Sequence, residues 1–423
     1  MRIKSAAAGL ALFGLALVGC SSGGAGGRPT DNTGSGGTTS TGTGGGSSVG
    51  GSSGSSSSGT GGSVATGPTA PPPWTLPGVT LITDPKQCVA GSPVNAGPQP
   101  LRRISRVEYN NMVRDLLGDT TQPAAGFVSE TKVAGYNSNT YVSAQVNALI
   151  NRQYLESAET LAATAVSGNN LVNMLPCASQ GTDQCAQDFI NGFVLRAFRG
   201  QLDQDEALAL YQLYLDTKTQ FDFATGVQAM ITSVLTSPRF LFVLELGTPG
   251  SGGPVVALSQ FEIATRLSLY LWRSVPDAAL MQAAQMNQLS TPDQIETQAT
   301  RMLADPKAAD ALKDFANQWL DIENMDAVTK DTFFQNTWTP QIAKALHTEA
   351  LTTYSKLVAT ENGDLSTLLT SPSSYITTDL AAYYGGVNVA SPDSRTMLNG
   401  PGQPRAGILT SGAFLAMHAH PRL

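Results

Sequence analysis

Residues 105–118 read SRVEYNNMVRDLLG and contain the start, the apolar face and the end of one amphipathic helix. Ser105 and Glu108 have the spacing of a capping box, in which each side chain accepts a hydrogen bond from the other residue's backbone N–H. Gly118 follows the last apolar residue and belongs to the residue type that most often ends a helix. Between these two signals, apolar side chains recur at Val107, Met112, Val113, Leu116 and Leu117.

The same helical pattern continues through the rest of the sequence. Ser259 and Glu262 form a second capping box, and Pro292 stands just inside a helix start, where its missing N–H costs no hydrogen bond. Runs that alternate Val, Ile and Thr are nearly absent, so we predict little sheet. We predict an all-α, multi-helix bundle-like assembly. Predicted helices cover residues 144–166, 185–198, 223–235, 293–304, 307–322, 340–360 and 375–384, and two others start near Asp203 and Ser259.

The first twenty residues have the features of an export signal. Arg2 and Lys4 precede an apolar run that is too short to span a bilayer comfortably and is typical of a signal-peptide core. Its end, LVGC at residues 17–20, resembles a bacterial lipoprotein signal, in which the cysteine is acylated, for example with palmitate. We predict a signal peptide over residues 1–20, lipidation of Cys20, and location in the cell envelope, at the outer membrane or cell surface. An ordinary cleaved signal with a chance cysteine is the alternative.

A segment of low complexity follows. Residues 21–70 contain 18 Gly, 13 Ser and 9 Thr, a composition that cannot bury enough apolar surface to offset its ordering entropy. We therefore predict a disordered linker over residues 21–75. The whole chain has 25 Lys and Arg against 32 Asp and Glu, a net charge of −7. That balance argues against a nucleic-acid partner, which would need a basic surface.

Few residues are suited to metal binding. The chain has 3 His, of which His418 and His420 are two apart and have no evident third ligand. His347 and Glu349 are also two apart and would point to different faces of a helix. We predict no metal site. A surface location is the simpler interpretation of the C-terminal histidine pair.

Three cysteines remain beside Cys20. Cys177 and Cys185 close a short loop between two predicted helices, and an exported protein enters an oxidising compartment. We predict a disulfide between them, with a pair of free thiols as the alternative. Cys88 is then left over, and it could bond a partner chain or a cysteine outside this sequence.

Longer motifs resemble a known family. The stretch LRRISRVEYNNMVRDLLGD at residues 101–119 resembles the opening module of the planctomycete secreted domain family, whose members are exported multi-module proteins. Gly200 and Gln201 depart from the family's usual RRPL run, which is expected to alter one helix junction. The resemblance covers about residues 101–423. Further similar stretches are residues 193–202, 235–242, 261–277, 301–305, 315–320 and 405–410, the last resembling the start of a planctomycete cytochrome C domain.

The resemblance implies a modular organisation and a link to haem. Family members continue into a segment with a Cys-x-x-Cys-His pattern, the spacing for covalent c-type haem. This chain contains no such pattern. We therefore expect that it is cut short before that segment, that it holds no cofactor itself, and that haem c would belong to a longer C-terminal segment. Expected modules are residues 76–170, 171–250 and 251–390, which are helical, and 391–423, the incomplete cytochrome-associated module.

The first helix also carries a possible polar site. Asn is a poor helix former, so we expect the asparagines of this helix to bond a neighbouring loop, residues 135–139. Arg114 and Asp115 are adjacent, and we do not expect them to pair side by side on a helix. A structural bonding network and an anion or sugar site both remain open. The residues of the possible site are Arg103, Tyr109, Asn110, Asn111 and Arg114.

Three function classes fit these observations. The preferred one is a lipid-anchored helical scaffold associated with a c-type cytochrome or another redox partner. The alternative is an extracellular polysaccharide-binding or polysaccharide-degrading protein, and the third is a purely structural envelope protein. Glycoside hydrolysis needs two carboxylates facing one cleft, and no catalytic residue is assigned. Weak carboxylate candidates are Asp277, Asp321 and Glu323, while Trp272 and Trp319 are expected in the core rather than as sugar platforms.

Overall fold

The first helix, α1 (Arg106–Leu117), begins and ends at the caps that the sequence predicts. Ser105 Oγ accepts a hydrogen bond from the backbone N–H of Glu108, and a Glu108 carboxylate oxygen accepts one from the backbone N–H of Ser105, 2.7 Å away. Gly118 adopts the left-handed conformation with φ of 75°. The second predicted capping box, between Ser259 and Glu262, is also confirmed.

This computed structural model describes seven stretches of the chain, and all of them belong to one compact unit. The predictions for Cys20, Cys88, His420, the signal peptide and the linker lie outside the described residues, and the module boundaries stay predictions. Within the described stretches, no helix is both long and apolar enough to cross a membrane. The described residues are 101–137, 146–248, 256–331, 337–361, 363–391, 395–398 and 405–419.

The all-α prediction is confirmed, because helices dominate the described residues and each strand there contains only two residues. After α1 the helices are α2 (Ala148–Val166), α3 (Asn170–Met174), α4 (Asp183–Phe189), α5 (Leu195–Ala197), α6 (Gln204–Gln220), α7 (Phe223–Thr236), α8 (Pro238–Leu241), α9 (Gln260–Leu271), α10 (Ala278–Gln285), α11 (Pro292–Leu303), α12 (Pro306–Trp319), α13 (Pro340–Ala359), α14 (Leu365–Thr370), α15 (Thr378–Tyr383) and α16 (Gly412–His418).

Several helix bounds differ from the prediction for local reasons. The predicted helix 185–198 contains a π-helical turn over Ile190–Val194, which separates α4 from α5. Asn147 caps the start of α2 by accepting a hydrogen bond from the backbone N–H of Ile150. The helix predicted over 307–322 ends earlier, and Asp321 has a positive φ of 51°.

Two short strand pairs close long loops. Strand β1 (Arg102–Arg103) pairs antiparallel with β2 (Phe242–Val243), and the backbone N–H of Ile104 donates to the carbonyl oxygen of Leu241 at 2.9 Å. Strand β3 (Ser373–Ser374) pairs antiparallel with β4 (Thr396–Met397). The first pair fastens the segment before α1 to the end of α8.

The buried apolar side chains form three clusters. The first fills the space between α1–α8, the second lies among α12–α16, and the third joins α9–α11 to the start of α12. Trp272 belongs to the third cluster with 1% of its surface exposed, and its indole N–H donates to the carbonyl oxygen of Met302. Trp319 packs half-buried against the second cluster. The core location predicted for Trp272 is confirmed.

Gly200 occupies a position that a side chain would not fit. Its φ is +85°, and a Cβ atom there would lie 2.1 Å from Cδ1 of the Phe261 ring. Its backbone N–H donates to the carbonyl oxygen of Leu195 at 2.7 Å. The departure from the family's pattern therefore coincides with a tight junction between α5 and the following chain, where an arginine would have to displace Phe261.

The predicted disulfide between Cys177 and Cys185 is present. Their Cα atoms are 5.6 Å apart, and the bond joins a 3₁₀ turn (Pro176–Gln180) to the first turn of α4. Thr182 caps the same helix by accepting from the backbone N–H of Cys185. The loop between α3 and α4 is thus closed covalently.

We expect the double substitution Cys177→Ser and Cys185→Ser to lower the free energy of unfolding by about 2–3 kcal/mol, because the unfolded chain regains the entropy of the short loop. Urea denaturation followed by circular dichroism measures this loss. Reductant should lower the free energy of unfolding of the wild-type protein towards that of the variant, and it should leave the stability of the variant unchanged. A variant as stable as the oxidised wild type would contradict the expectation.

Candidate functional site

The five residues of the predicted polar site are placed around α1 and β1, each against a different neighbour. Arg103 is buried, and its guanidinium carbon lies 6.0 Å from the centre of the Tyr154 ring. Tyr109 is also buried, and its hydroxyl is 3.1 Å from Ser157 Oγ. Both side chains therefore connect β1 and α1 to α2.

The two asparagines form hydrogen bonds with backbone atoms, as predicted, but the prediction that their partners lie in residues 135–139 is wrong. Asn110 Oδ1 accepts from the backbone N–H of Ala124 at 2.8 Å, in the 3₁₀ turn after α1. Asn111 Nδ2 donates to the carbonyl oxygen of Arg273 at 3.3 Å, after α9. Consecutive helical residues point about 100° apart, so the two side chains reach different elements.

The expectation that Arg114 and Asp115 do not pair is also wrong. Arg114 Nε lies 3.0 Å from Asp115 Oδ1, because the long arginine side chain folds back along the helix surface. Asp115 also receives Lys307 Nζ at 2.9 Å and the Ser274 hydroxyl at 2.8 Å. Burial alone would raise the pKa of Asp115, but hydrogen bonds from Lys307, Arg114 and Ser274 hold it below its ordinary value. These contacts make Asp115 a junction between α1, α9 and α12.

A buried ionic network lies beside these residues, and we call it the Glu108 network. Two guanidinium nitrogens of Arg102 donate to the two carboxylate oxygens of Glu108, at 2.9 and 3.0 Å. Arg273 Nη2 donates to Ser105 Oγ at 3.1 Å and to Asn137 Oδ1 at 3.0 Å, and Arg273 Nη1 pairs with Asp314. The network therefore joins the start of α1, the segment just after α9 and the middle of α12.

Electrostatics within this network favour the charged carboxylate. Burial alone would raise the pKa of Glu108, yet the charge and hydrogen bonds of Arg102, with help from Arg273 and Ser105, lower it to about 2. Burial lowers the pKa of Arg273. Glu108 has 2% of its surface exposed, so the network offers a solute little access. The sequence identified Glu108 as a cap but gave no indication of its distant partner Arg273.

A second buried carboxylate, Glu349 on α13, forms what we call the Glu349 cluster. Tyr384 donates its hydroxyl hydrogen to one carboxylate oxygen, and Arg405 Nη1 donates to the other at 3.2 Å. The guanidinium carbon of Arg405 also lies 4.3 Å from the centre of the Tyr384 ring. Burial raises the pKa of Glu349, although Arg405 and Tyr384 oppose this shift.

The crevice beside the Glu349 cluster is small. It is lined by Thr353, Ser374 and Arg405 among others, and its volume of about 20 Å³ is close to that needed for one ordered water. A shifted carboxyl pKa is a feature of many active sites, and it is also produced by structural ion networks. Because the space admits no substrate-sized molecule, we assign the Glu349 cluster a structural role.

We expect Arg405→Met to lower the free energy of unfolding by about 1.5–3 kcal/mol at neutral pH, since a buried carboxylate loses its charged hydrogen-bond donor. The raised pKa of Glu349 means that its carboxyl group becomes neutral as the pH falls, so the loss should shrink in acid. Urea denaturation of variant and wild type at neutral and acidic pH tests this. Arg152→Met, at an exposed ion pair, is the control and should cost little. An equal loss in the free energy of unfolding at both pH values would show that the effect of Arg405→Met does not depend on the charge of Glu349.

The histidines and the remaining carboxylate candidates are held by local contacts. The two ring nitrogens of His347 lie 2.9 Å from Asp326 and 2.7 Å from Asn317, away from Glu349 on the same helix. His418 Nε2 lies 2.9 Å from the carbonyl oxygen of Leu320. Across the described stretches, no group of three or more His, Cys, Asp or Glu side chains could hold a metal ion.

The carboxylates considered for glycoside hydrolysis have partners of their own. Asp277 caps α10 and receives two hydrogen bonds from Arg301, at 2.7 and 3.0 Å. Glu323 pairs with Lys132. These two carboxylates are thus engaged in structural ion pairs, and the geometry gives the hydrolytic alternative no support.

Three family models match the chain. PSD3, a protein of unknown function (DUF1587), matches residues 102–167; PSD5, a protein of unknown function (DUF1595), matches residues 185–245; and PSD4, a protein of unknown function (DUF1592), matches residues 258–385. No curated protein and no solved structure matches the chain. The three matches support a coarse relationship to the planctomycete cytochrome C-associated domains. The expected Cys-x-x-Cys-His segment stays a prediction.

Proposed function

We propose that this chain is a lipid-anchored protein of the cell envelope whose helical part is a scaffold for a c-type cytochrome or another redox partner. The observation that carries the proposal is the succession of three cytochrome-associated domain matches along one chain. The lipoprotein-like stretch ending at Cys20 supports the anchored location. The disulfide between Cys177 and Cys185 is compatible with an oxidising compartment.

The arrangement of the buried polar groups supports a scaffold rather than a catalyst. In both the Glu108 network and the Glu349 cluster, the carboxylate oxygens are occupied by arginine, hydroxyl or backbone donors of the chain itself. Hydrogen-bonded networks of this kind fix the relative positions of helices. A rigid body of this kind can hold a partner at a set place without performing chemistry.

Anchoring is tested with the full chain expressed in a Gram-negative host that is fed a labelled palmitate analogue. We expect the wild-type protein to carry the label and to sediment with membranes, because each buried acyl CH₂ contributes about 0.8 kcal/mol to membrane binding. Cys20→Ala should lose the label and become soluble. Cys88→Ala is the matched control and should keep both properties. Label retained by Cys20→Ala would overturn this part of the proposal.

The redox association is tested separately, by cross-linking the tagged chain in its native envelope and purifying it under denaturing conditions. We expect a co-purifying protein with covalently bound haem, identified by haem staining and by the visible spectrum of c-type haem. A parallel glycan-binding screen addresses the polysaccharide alternative. Glycan binding together with the absence of any haem protein would reject the redox association and favour the alternative.

A further inference from the structure

An apolar crevice lies where α9, α11, α12 and α13 meet, between the second and third hydrophobic clusters. Its volume is about 90 Å³, several times that of the crevice beside Glu349. None of the described residues that line it carries a charge. The lining residues are Tyr270, Leu271, Leu303, Ala308, Ala311, Leu312, Phe315, Tyr354 and Val358.

The wall formed by α12 and α13 is aromatic. The ring centres of Phe315 and Tyr354 are 5.9 Å apart, and Phe315 also stacks on Tyr136 at 5.7 Å and on Trp319 at 6.2 Å. Aromatic rings at such distances attract one another in offset or edge-on geometry, beyond the contribution of buried area. A further ring entering the crevice would extend this series of contacts. Tyr270 is more than half exposed and stands at the crevice's solvent side.

Tyr354, one of the lining residues, carries a hydroxyl group that is free to bond a ligand. Tyr354 has only 2% of its surface exposed, yet its hydroxyl forms no hydrogen bond with another residue of the described stretches. Burial raises the pKa of Tyr354, so the hydroxyl stays protonated through the neutral range and can both donate and accept. The hydroxyl oxygen keeps some contact with solvent, so a water molecule or a polar group of a ligand can reach it.

We propose that this crevice binds a small neutral aromatic molecule with one hydrogen-bonding substituent, a ligand of the phenol class. The apolar lining without charged groups favours a neutral ligand, and the aromatic wall favours a ring. An apolar cavity of roughly 150 Å³ is known to accept benzene, so a smaller but partly open crevice can hold a single ring. The substituent would pair with the Tyr354 hydroxyl. The ligand site is independent of the proposed scaffold function.

The test uses the purified full chain and two probes of nearly equal shape, p-cresol and p-xylene, which differ by a hydroxyl in place of a methyl group. Binding is measured by saturation-transfer NMR and by calorimetric titration. We expect the wild-type protein to prefer p-cresol by roughly fivefold or more, as one additional hydrogen bond predicts. Tyr354→Phe should abolish this preference while p-xylene binding is retained. Tyr211→Phe, in the first cluster, is the matched control and should preserve the preference.

A second variant tests the location. Ala311→Leu fills the crevice and should remove binding of both probes, while Ala209→Leu on the exposed side of α6 should not. If Ala311→Leu fails to fold, the comparison of wild type with Tyr354→Phe still tests whether the ligand binds in this crevice. A preference for p-cresol that survives Tyr354→Phe, or no binding of either probe to the wild type, would overturn the proposal. Binding of N-acetyl-tyrosinamide without p-cresol would also overturn it, since the occupant would then be a peptide side chain.

Discussion

Glu108→Gln is expected to lower the free energy of unfolding by about 3–5 kcal/mol at neutral pH, the usual cost of removing one member of a buried ion pair. The amide keeps the size of the side chain, and its oxygen can still accept from the backbone N–H of Ser105. The negative charge that Arg102 and Arg273 require is lost, however. Urea denaturation monitored by circular dichroism measures the difference.

The pH dependence gives a second, independent check on Glu108. Its pKa in the folded protein is about 2, below the ordinary 4.5, so the unfolded chain binds a proton more readily. Its stabilising contribution is therefore present above the ordinary glutamate pKa and is lost as the pH falls from 4.5 towards 2. The difference in the free energy of unfolding between wild type and Glu108→Gln should therefore become smaller as the pH falls over that range. Glu156→Gln at an exposed pair is the control and should cost about 0.3–0.5 kcal/mol. A loss as small as the control's would refute the role of the network.

Gly407→Ala is expected to cost about 4 kcal/mol or more. Gly407 has φ of 75° and ψ of −177°, a region that is essentially restricted to glycine. A Cβ atom there would lie 2.1 Å from both the backbone C and the backbone O of Leu369, atoms that cannot move without shifting α14. The backbone N–H of Gly407 also donates to the carbonyl oxygen of Ser371 at 2.8 Å. Backbone strain at residue 407 and the overlap with Leu369 should therefore both contribute to the loss of stability.

Thermal and urea denaturation measure the loss in Gly407→Ala, and limited proteolysis shows whether the region around α14 and α16 opens first. Gly386→Ala is the matched control. Gly386 also has a positive φ, +80°, but no atom would lie within 4 Å of its Cβ. That substitution should cost only about 1–2 kcal/mol. Equal effects of the two substitutions would show that the contact with Leu369 is unimportant.

Local signals in the sequence predicted the fold class well, because helix caps and apolar spacing act over a few residues. Both capping boxes and the end of α1 at Gly118 are present as predicted. The π-helical turn at Ile190–Val194 was not predicted, since its residues have the same apolar spacing as an ordinary helix. Errors in helix bounds arose where caps such as Asn147 compete with apolar periodicity.

The site was harder to predict because its contacts join residues far apart in the chain. Arg273 and Ser105 are separated by 168 positions, and no spacing rule relates them. Asn111 is separated from its partner Arg273 by 162 positions, so the partner depends on the path of the chain after α9 and was predicted wrongly. The position of Tyr354 in the lining of the crevice is likewise a property of packing, since an isolated tyrosine in a helical pattern gives no sign of what surrounds it.

The pairing of β1 with β2 has a mechanical consequence. If the chain ahead of Leu101 is attached to a membrane, as proposed, a force along the backbone reaches the described helices through β1. The first bonds to resist this force are the pairing of β1 with Phe242 and Val243 and the two hydrogen bonds from Arg102 to Glu108. These bonds would have to break before the force reached the buried residues of the hydrophobic clusters. A tethered molecule would therefore resist moderate drag at the cell surface without unfolding its core.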